Sequence, residues 1–321
     1  LALPRRQWGD EALAALLTEE YRRPGGTMVL RPVQAAALAE LHDEGGLVAL
    51  ARVGSGKSLI SFLAPKVLGS KRPLLLIPAK LRTKTEREWL EYQRHWILPT
   101  MRIESYELLG RADHNAMLED MQPDLIVCDE AHKIRNLRAS CTRRIRRFLS
   151  KNPETTFVAL SGTLTSRSLM DFWHILGFAL TDLKMPLPAD WVEALEWSDS
   201  IDAKPPGGAR TAPGALVSLC TPEDSGPLEF GGDVALATVR KAFQRRLTDT
   251  PGVISTLNDQ VACSLSITEV RLDLSHLATY FHTLRTEWCT PDGEDFVTAV
   301  DLWRHARELV VGCFYRGNPR P

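Results

Sequence analysis

The sequence has almost no net charge. Its formal balance is −1 over 321 residues, so no whole-molecule field draws it to a polyanion, and any such contact must come from a local patch. It also lacks a long apolar run. Nothing approaches the ~18 consecutive apolar residues of a membrane-spanning helix, and no membrane partner is expected. The opening residues, Leu1-Ala2-Leu3-Pro4-Arg5-Arg6, have no secretory apolar stretch and no initiator methionine, which raises the expectation of a fragment. Six cysteines are present (Cys128, Cys141, Cys220, Cys263, Cys289 and Cys313), with no Cys-x-x-Cys pair, and the eight histidines are scattered. That spacing excludes a zinc ribbon and a dithiol motif. Reduced thiols in a cytoplasmic protein are the expectation. There is no internal repeat.

What is present is ordinary in bulk: 44% hydrophobic and 25% charged residues, enough for one large or two modest domains. Between residues 30 and 180, helical patterns alternate with short apolar runs at Leu47–Ala51, Leu74–Ile77, Met101–Ser105, Leu125–Cys128 and Phe157–Leu160. Short continuous runs fit strands buried on both faces, and their alternation with helices predicts a doubly wound α/β domain with a mostly parallel sheet. Residues 198–233 are rich in proline and glycine, including Pro205-Pro206-Gly207-Gly208, and predict a long loop or partly disordered insertion. Helical patterns follow at Val234–Leu247, Leu274–Trp288 and Phe296–Cys313, with a strand expected at Glu269–Leu274.

The run Leu47–Ala51 leads into Arg52-Val53-Gly54-Ser55-Gly56-Lys57-Ser58 and then the helical Leu59–Leu68. Strand, glycine-rich loop and helix together are the context of a nucleotide-phosphate loop. Gly54, Ser55 and Gly56 let the backbone curl so that N–H groups face phosphate oxygens, and the helix N-terminus adds its positive dipole end. Lys57 would reach the β- and γ-phosphates of ATP and the Ser58 hydroxyl would sit on Mg²⁺. Ala51 stands where the general pattern has glycine. The bland alternative is a glycine-rich turn that binds nothing.

Leu125–Cys128 is an apolar run that leads into Asp129-Glu130-Ala131-His132. Ligands of such sheets bind at the carboxyl ends of strands, so Asp129 would face the same crevice as Lys57. Asp129 would hold Mg²⁺, directly or through water, and Glu130 would act as general base toward the attacking water. The alternative is a turn with two exposed acids.

With these motifs in order, the chain resembles the first RecA-like domain of a superfamily-two helicase of the DEAD/DEAH-box group, and within it the Swi/Snf-type translocases. Leu30-Arg31-Pro32-Val33-Gln34 is similar to the segment opening that domain, with Val33 in place of tyrosine. The resemblance implies that Gln34 hydrogen-bonds adenine. Leu75–Lys80 resembles the motif that touches the nucleic-acid backbone, which implies such a role for Lys80 and Arg82. Ile103–Glu107 resembles the strand-end motif that follows, and Asp129–Asn136 the extended acidic box. Leu160-Ser161-Gly162-Thr163 resembles the coupling motif, with Leu164 where the family usually has proline, and Phe172–Leu176 the helix after it. His132 would couple nucleotide state to nucleic acid through Ser161 and Thr163, the alternative being a histidine satisfied locally by the sheet.

The resemblance implies a RecA-like domain over 1–180, a Pro/Gly-rich insertion over 181–233, and a mainly helical bridge over 234–321 toward a second RecA-like domain in the same or another chain. Gln244-Arg245-Arg246 would lie in that bridge. The implied function is an ATP-dependent helicase or translocase, with double-stranded DNA favoured. A P-loop kinase or simple ATPase is the rival enzyme, and a non-catalytic ATP- or DNA-binding module serving a partner is the rival from another class. His132–Lys151 carries Lys133, Arg135, Arg138, Arg143, Arg144, Arg146, Arg147 and Lys151 without one Asp or Glu. It reads either as a phosphate-contacting patch or as a solvated helix face. Trp173, Trp191, Trp197, Trp288 and Trp303 are expected in the core.

Overall fold

A computed structural model describes residues 10–52, 54–162, 168–180, 184–202, 205, 208, 210–221, 224, 236–256, 278–290, 293 and 295–310 of the chain. The chain divides into two compact units, Leu1–Gln260 and Val261–Pro321. The first unit opens with α1 (Glu11–Tyr21), whose first turn is capped by the Asp10 carboxylate accepting from the Ala12 and Leu13 N–H groups. Helix α2 (Pro32–Glu44) has proline in its first turn, where no N–H partner is needed, and ends on left-handed Gly45. Then come β1 (Leu47–Leu50), α3 (Lys57–Leu68), β2 (Pro73–Ile77), a 3₁₀ turn at Ala79–Leu81 and α4 (Arg82–Tyr92). The strand β3 (Arg102–Ser105) precedes α5 (Tyr106–Gly110) and α6 (Met117–Met121). After β4 (Leu125–Asp129) a 3₁₀ turn at Ala131–Ile134 leads to α7 (Ser140–Lys151), β5 (Thr156–Ser161), α8 (Met170–Ala179) and α9 (Trp191–Ile201). A 3₁₀ segment at Gly214–Leu219, α10 (Leu236–Asp249) and β6 (Val253–Ser255) complete this unit. In the second unit, α11 (Ala278–Glu287) and α12 (Ala299–Val310) are described.

The six strands form one sheet in the order β3-β2-β4-β5-β1-β6, and all its pairings are parallel. The fold is α/β with helices on both faces, consistent with a RecA-like P-loop architecture, and its C-terminal extension is helical. Each of the five apolar runs read from the sequence is a strand. Their continuity has a direct cause, because successive side chains of a strand point to opposite faces. Leu74, Leu76, Ile126, Cys128, Phe157 and Ala159 pack on one face with α5 to α10. Leu75, Ile77, Leu125, Val127, Val158 and Leu160 pack on the other with α1 to α4. Neither face is wet over β1, β2, β4 and β5, so no polar alternation survives there, while the edge strand β3 keeps Arg102 exposed and pairs it with Glu104.

The structure differs from the sequence expectation in three places. The described part of 198–233 is not a loose loop. Leu216 is fully buried in the core, Arg210 donates to the carbonyls of Ser200 and Asp202, and Arg245 of α10 clamps Asp224 and the Leu219 carbonyl. This described part is irregular but packed. Second, α10 and β6 belong to the first compact unit, which runs to residue 260 rather than closing at 180. Val48 donates to the Gly252 carbonyl at 2.8 Å, and buried Glu40 accepts from the Gly252 N–H at 2.9 Å. Third, Trp191, Trp288 and Trp303 are exposed, whereas among the described residues the fully buried tryptophan is Trp96. The strand expected at Glu269–Leu274 lies outside the described residues.

Candidate functional site

In a sheet whose pairings are all parallel, every strand ends on the same edge. The loops leaving β1, β4 and β5 at that edge bring together the residues singled out from the sequence. β5 lies between the other two, with Leu50 level with Ser161 and Asp129 level with Leu160.

After β1 the chain turns through Gly54 and Gly56, at φ +87° and +82°, a conformation that costs L-residues ~1–2 kcal/mol and glycine little. Gly56 caps α3, so Lys57 and Ser58 are its first two residues and their N–H groups have no intrahelical acceptor. The loop is braced from three directions. Gln34 of α2 donates from Nε2 to the Gly56 carbonyl at 3.1 Å and accepts on Oε1 from the Arg31 N–H at 2.9 Å. Arg31 donates to the Gly54 carbonyl at 2.6 Å. Thr256, just past β6, accepts from the Arg52 N–H at 2.9 Å. Lys57 Nζ donates to the Ala51 carbonyl at 3.0 Å and to that of Arg52 at 3.4 Å.

The bracing makes Gly56 a test of the loop. A Cβ there would sit 2.2 Å from Gln34 Nε2, whereas at Gly54 nothing lies within 4 Å. Gly56→Ala is therefore expected to displace Gln34 and lower the melting temperature by several degrees, with Gly54→Ala costing less since it bears only the backbone strain. Thermal denaturation of the two variants checks this, and equal shifts would contradict it.

Strand β4 delivers Asp129 half-buried at its end. The buried Tyr106 hydroxyl donates to the Asp129 carbonyl at 2.8 Å and fixes the strand end. Asp129 Oδ1 accepts from the Glu130 N–H at 3.0 Å. Burial, and then the neighbouring Glu130 charge, push the Asp129 carboxyl up to about 6, with Lys57 opposing. Glu130 itself takes the left-handed conformation at φ +54°, rare for a residue other than glycine. His132 Nδ1 lies 3.2 Å from Glu130 Oε2 and 3.4 Å from Ser161 Oγ. Burial, assisted by Lys133 and Arg135, holds the imidazole below its ordinary value despite Glu130. Next to Ser161, a Cβ on Gly162 would fall 3.4 Å from the Ala51 carbonyl and 3.9 Å from Lys57 Nζ. The chain end of β5 thus passes beside the lysine. Thr163 lies outside the described residues.

The Asp129 shift fixes a pH dependence. Its folded value is above the usual ~3.9 of an unfolded aspartate, so the fold holds a proton that the unfolded chain releases, and stability falls as pH rises from about 4 to about 6. Asp129→Asn is expected to remove that decline and to melt higher than the parent above pH 6, with no difference below pH 4. Melting curves across this range without Mg²⁺ decide the matter. A variant less stable at high pH would mean the carboxylate is held by favourable contacts.

Lys80 is exposed on the 3₁₀ turn after β2, at the same edge, and the Ala79 N–H is anchored to Glu107 Oε2 at 2.8 Å. Arg82 is exposed but engaged, to Glu86 Oε1 at 2.9 Å and to Glu104 Oε2 at 3.1 Å. Arg245 and Arg246 are taken up internally, the latter by the Pro186 carbonyl at 2.8 Å. Thr256 and Tyr106, which brace the two loops, carried no sequence signal as site residues, since neither belongs to a local motif.

Can these residues hold ATP and Mg²⁺? Among the described residues there is no group of three or more His, Cys, Asp or Glu that could cage an ion. One carboxylate at Asp129 and one hydroxyl at Ser58, across from a curled loop, is the sparse donor set that suits Mg²⁺, which takes its remaining ligands from phosphates and water. No described helix is long and apolar enough to cross a membrane.

Residues 79–196 match the family described as the SNF2-related domain. Over 81 residues the chain is 37% identical to the ISWI chromatin-remodeling complex ATPase ISW2 of Saccharomyces cerevisiae, an alignment that covers 25% of this chain and 7% of that protein. The UvsW helicase from bacteriophage T4 superposes with a TM-score of 0.34 at 15% identity, covering 50% of this chain and 62% of that one. The matched segment contains Lys80, Arg82, the Asp129–His132 box and Ser161–Thr163. It begins after β2, so Gln34 and the Gly54–Ser58 loop lie outside it and stand on their own motif and geometry.

Proposed function

We propose that this protein is an ATP-driven helicase or translocase on nucleic acid, with duplex DNA the favoured track. One observation carries the reading: a braced, glycine-curled loop bearing Lys57 and a strand-end acidic pair, from separate strands, lie at one sheet edge on either side of Ser161. Loop N–H groups and the α3 N-terminus would receive the phosphates, and Lys57 would exchange its carbonyl partners for phosphate oxygens. Ser58 and Asp129 would hold Mg²⁺, which when bound offsets phosphate charge. Glu130, close to His132, would take the proton from the attacking water. Neutral His132, within reach of both Glu130 and Ser161, would relay the state of the site toward β5 and Thr163.

Gln34 has a defined place in this reading. It grips the Gly56 carbonyl with one N–H, which leaves the other N–H of its amide and a second lone pair on Oε1 for adenine. Lys80 would contact the nucleic-acid backbone, and Arg82 would do so only by leaving Glu86 or Glu104. A second RecA-like domain, in the same or another chain, would form the opposite wall of the crevice. The test is phosphate release with saturating ATP and Mg²⁺, with and without duplex DNA. Stimulation by duplex supports the proposal. ATP binding without any nucleic-acid effect would leave a simple ATPase, and no ATP binding would overturn the site.

A further inference from the structure

The basic run after the acidic box resolves into two kinds of cation. Arg144 and Arg147 turn inward. Arg144 is buried and donates to the carbonyls of Leu109 and Arg111. Arg147 meets Glu119 at 2.8 Å and Asn115. These two tie α7 to α5 and α6. Arg138, Arg143, Arg146 and Lys151 are exposed, and none makes a side-chain hydrogen bond or ion pair among the described residues.

A solvated helix face normally looks different, and α4 of the same protein shows how. There Arg82 pairs with Glu86 and Lys84 with Glu88, four residues apart, the arrangement that supports an exposed helix. Helix α7 has no acid to pair with between residues 131 and 151. Arg143 repels Arg146 and Arg147 at three- and four-residue spacing, and Arg143 also sits in the first turn, where the helix dipole disfavours a cation. Of the four, Lys151 in the last turn suits the helix dipole, but the outward arginines bring the helix no such gain. A polyanion would gain from them.

We infer that the outward band of α7 (Arg138, Arg143, Arg146 and Lys151) binds the phosphate backbone of nucleic acid at a second surface, distinct from Lys80 and Arg82. This rests on the proposed function for the identity of the polyanion. The band begins beside the acidic box, where Lys133 and Arg135 already act on His132. It then follows α7 away from that edge toward the start of β5, a length of ~18 Å for twelve residues. A duplex carries about one charge per 1.7 Å of its axis, so a linear track of cations is matched by a linear track of phosphates. Contacts of this kind carry no base information.

The experiment uses the full chain, fluorescence anisotropy with a labelled duplex, and a series of salt concentrations. Arg143→Glu/Arg146→Glu is expected to lower affinity at least tenfold and to flatten the salt slope by roughly 2, since each phosphate contact contributes ~0.9. The melting temperature should hold. Arg143→Lys/Arg146→Lys should keep the slope. Arg147→Ala should lower the melting temperature and leave the slope intact, as a purely structural cation would. Lys80→Ala/Arg82→Ala, measured alongside, separates the two surfaces. An unchanged slope in the Arg143/Arg146 reversal, with a reduced one in the Lys80/Arg82 variant, overturns the inference and leaves the proposed function standing. The opposite pattern supports the inference and removes Lys80 and Arg82 from the contact set. If the parent binds poly-glutamate through this band but not duplex, the surface docks an acidic protein segment and the inference fails. No duplex binding by the parent overturns it as well.

Discussion

Lys57→Ala is expected to weaken binding of ATP with Mg²⁺ about a hundredfold, the equivalent of ~3 kcal/mol for a charge-assisted hydrogen bond to phosphate. The lysine is already poised. Its Nζ rests on the Ala51 and Arg52 carbonyls, beside Gly162, so it needs only to trade neutral acceptors for an anionic one. Its loss has a second consequence. After the hydrogen bond from the Glu130 N–H, Lys57 also restrains the rise of the Asp129 carboxyl, so the alanine variant should push that carboxyl higher and weaken the Mg²⁺ ligand at the same pH. Titration calorimetry of both proteins measures the effect. Equal affinities would remove the loop from nucleotide binding.

Glu130→Gln should separate binding from chemistry. Glutamine keeps the length, the left-handed backbone and an oxygen for His132, but cannot accept a proton. ATP affinity should stay within a few-fold, and turnover should fall ~10²–10⁴-fold, the usual contribution of a general base. Single-turnover hydrolysis and calorimetry on one preparation give both quantities. Normal hydrolysis would assign the water to another residue.

The sequence made the central sheet legible because both of its faces are dry. β1, β2 and the bodies of β4 and β5 had to be apolar, and each is long enough to register, whereas the edge strand β3 is polar at Arg102, Glu104 and Ser105. β6 has three residues, and what seats it is a buried contact between Gly252 and Glu40, far apart in sequence. The packing of the described part of the Pro/Gly-rich stretch was not legible for a related reason. Composition reports local freedom, whereas Leu216 and Asp224 are held by distant partners. At the candidate site, the residues that short contiguous motifs put forward, Lys57, Ser58, Asp129, Glu130, His132 and Ser161, lie at one end of the sheet. The braces were not legible, since Thr256 and Tyr106 act through single hydrogen bonds across long chain separations. The basic helix was legible as charge only. Its division into inward arginines and outward ones required the positions of Glu119 and the Leu109 and Arg111 carbonyls.

The claim at the centre of the account is that one sheet edge, formed by the loops after β1 and β4, is where nucleotide binds. A competing cavity of about 640 Å³ lies elsewhere, lined by Lys71, Arg72, Arg102, Asp113 and His114 among others, at the opposite ends of β2 and β3. Its cations suit an anion as well. Amide hydrogen exchange with and without saturating ATP and Mg²⁺ tells the two apart. Slowed exchange is expected together in 52–58 and 129–132, with 71–73 and 113–121 unchanged. Protection confined to 71–73 and 113–121, or protection of the loop without the acidic box, would contradict it.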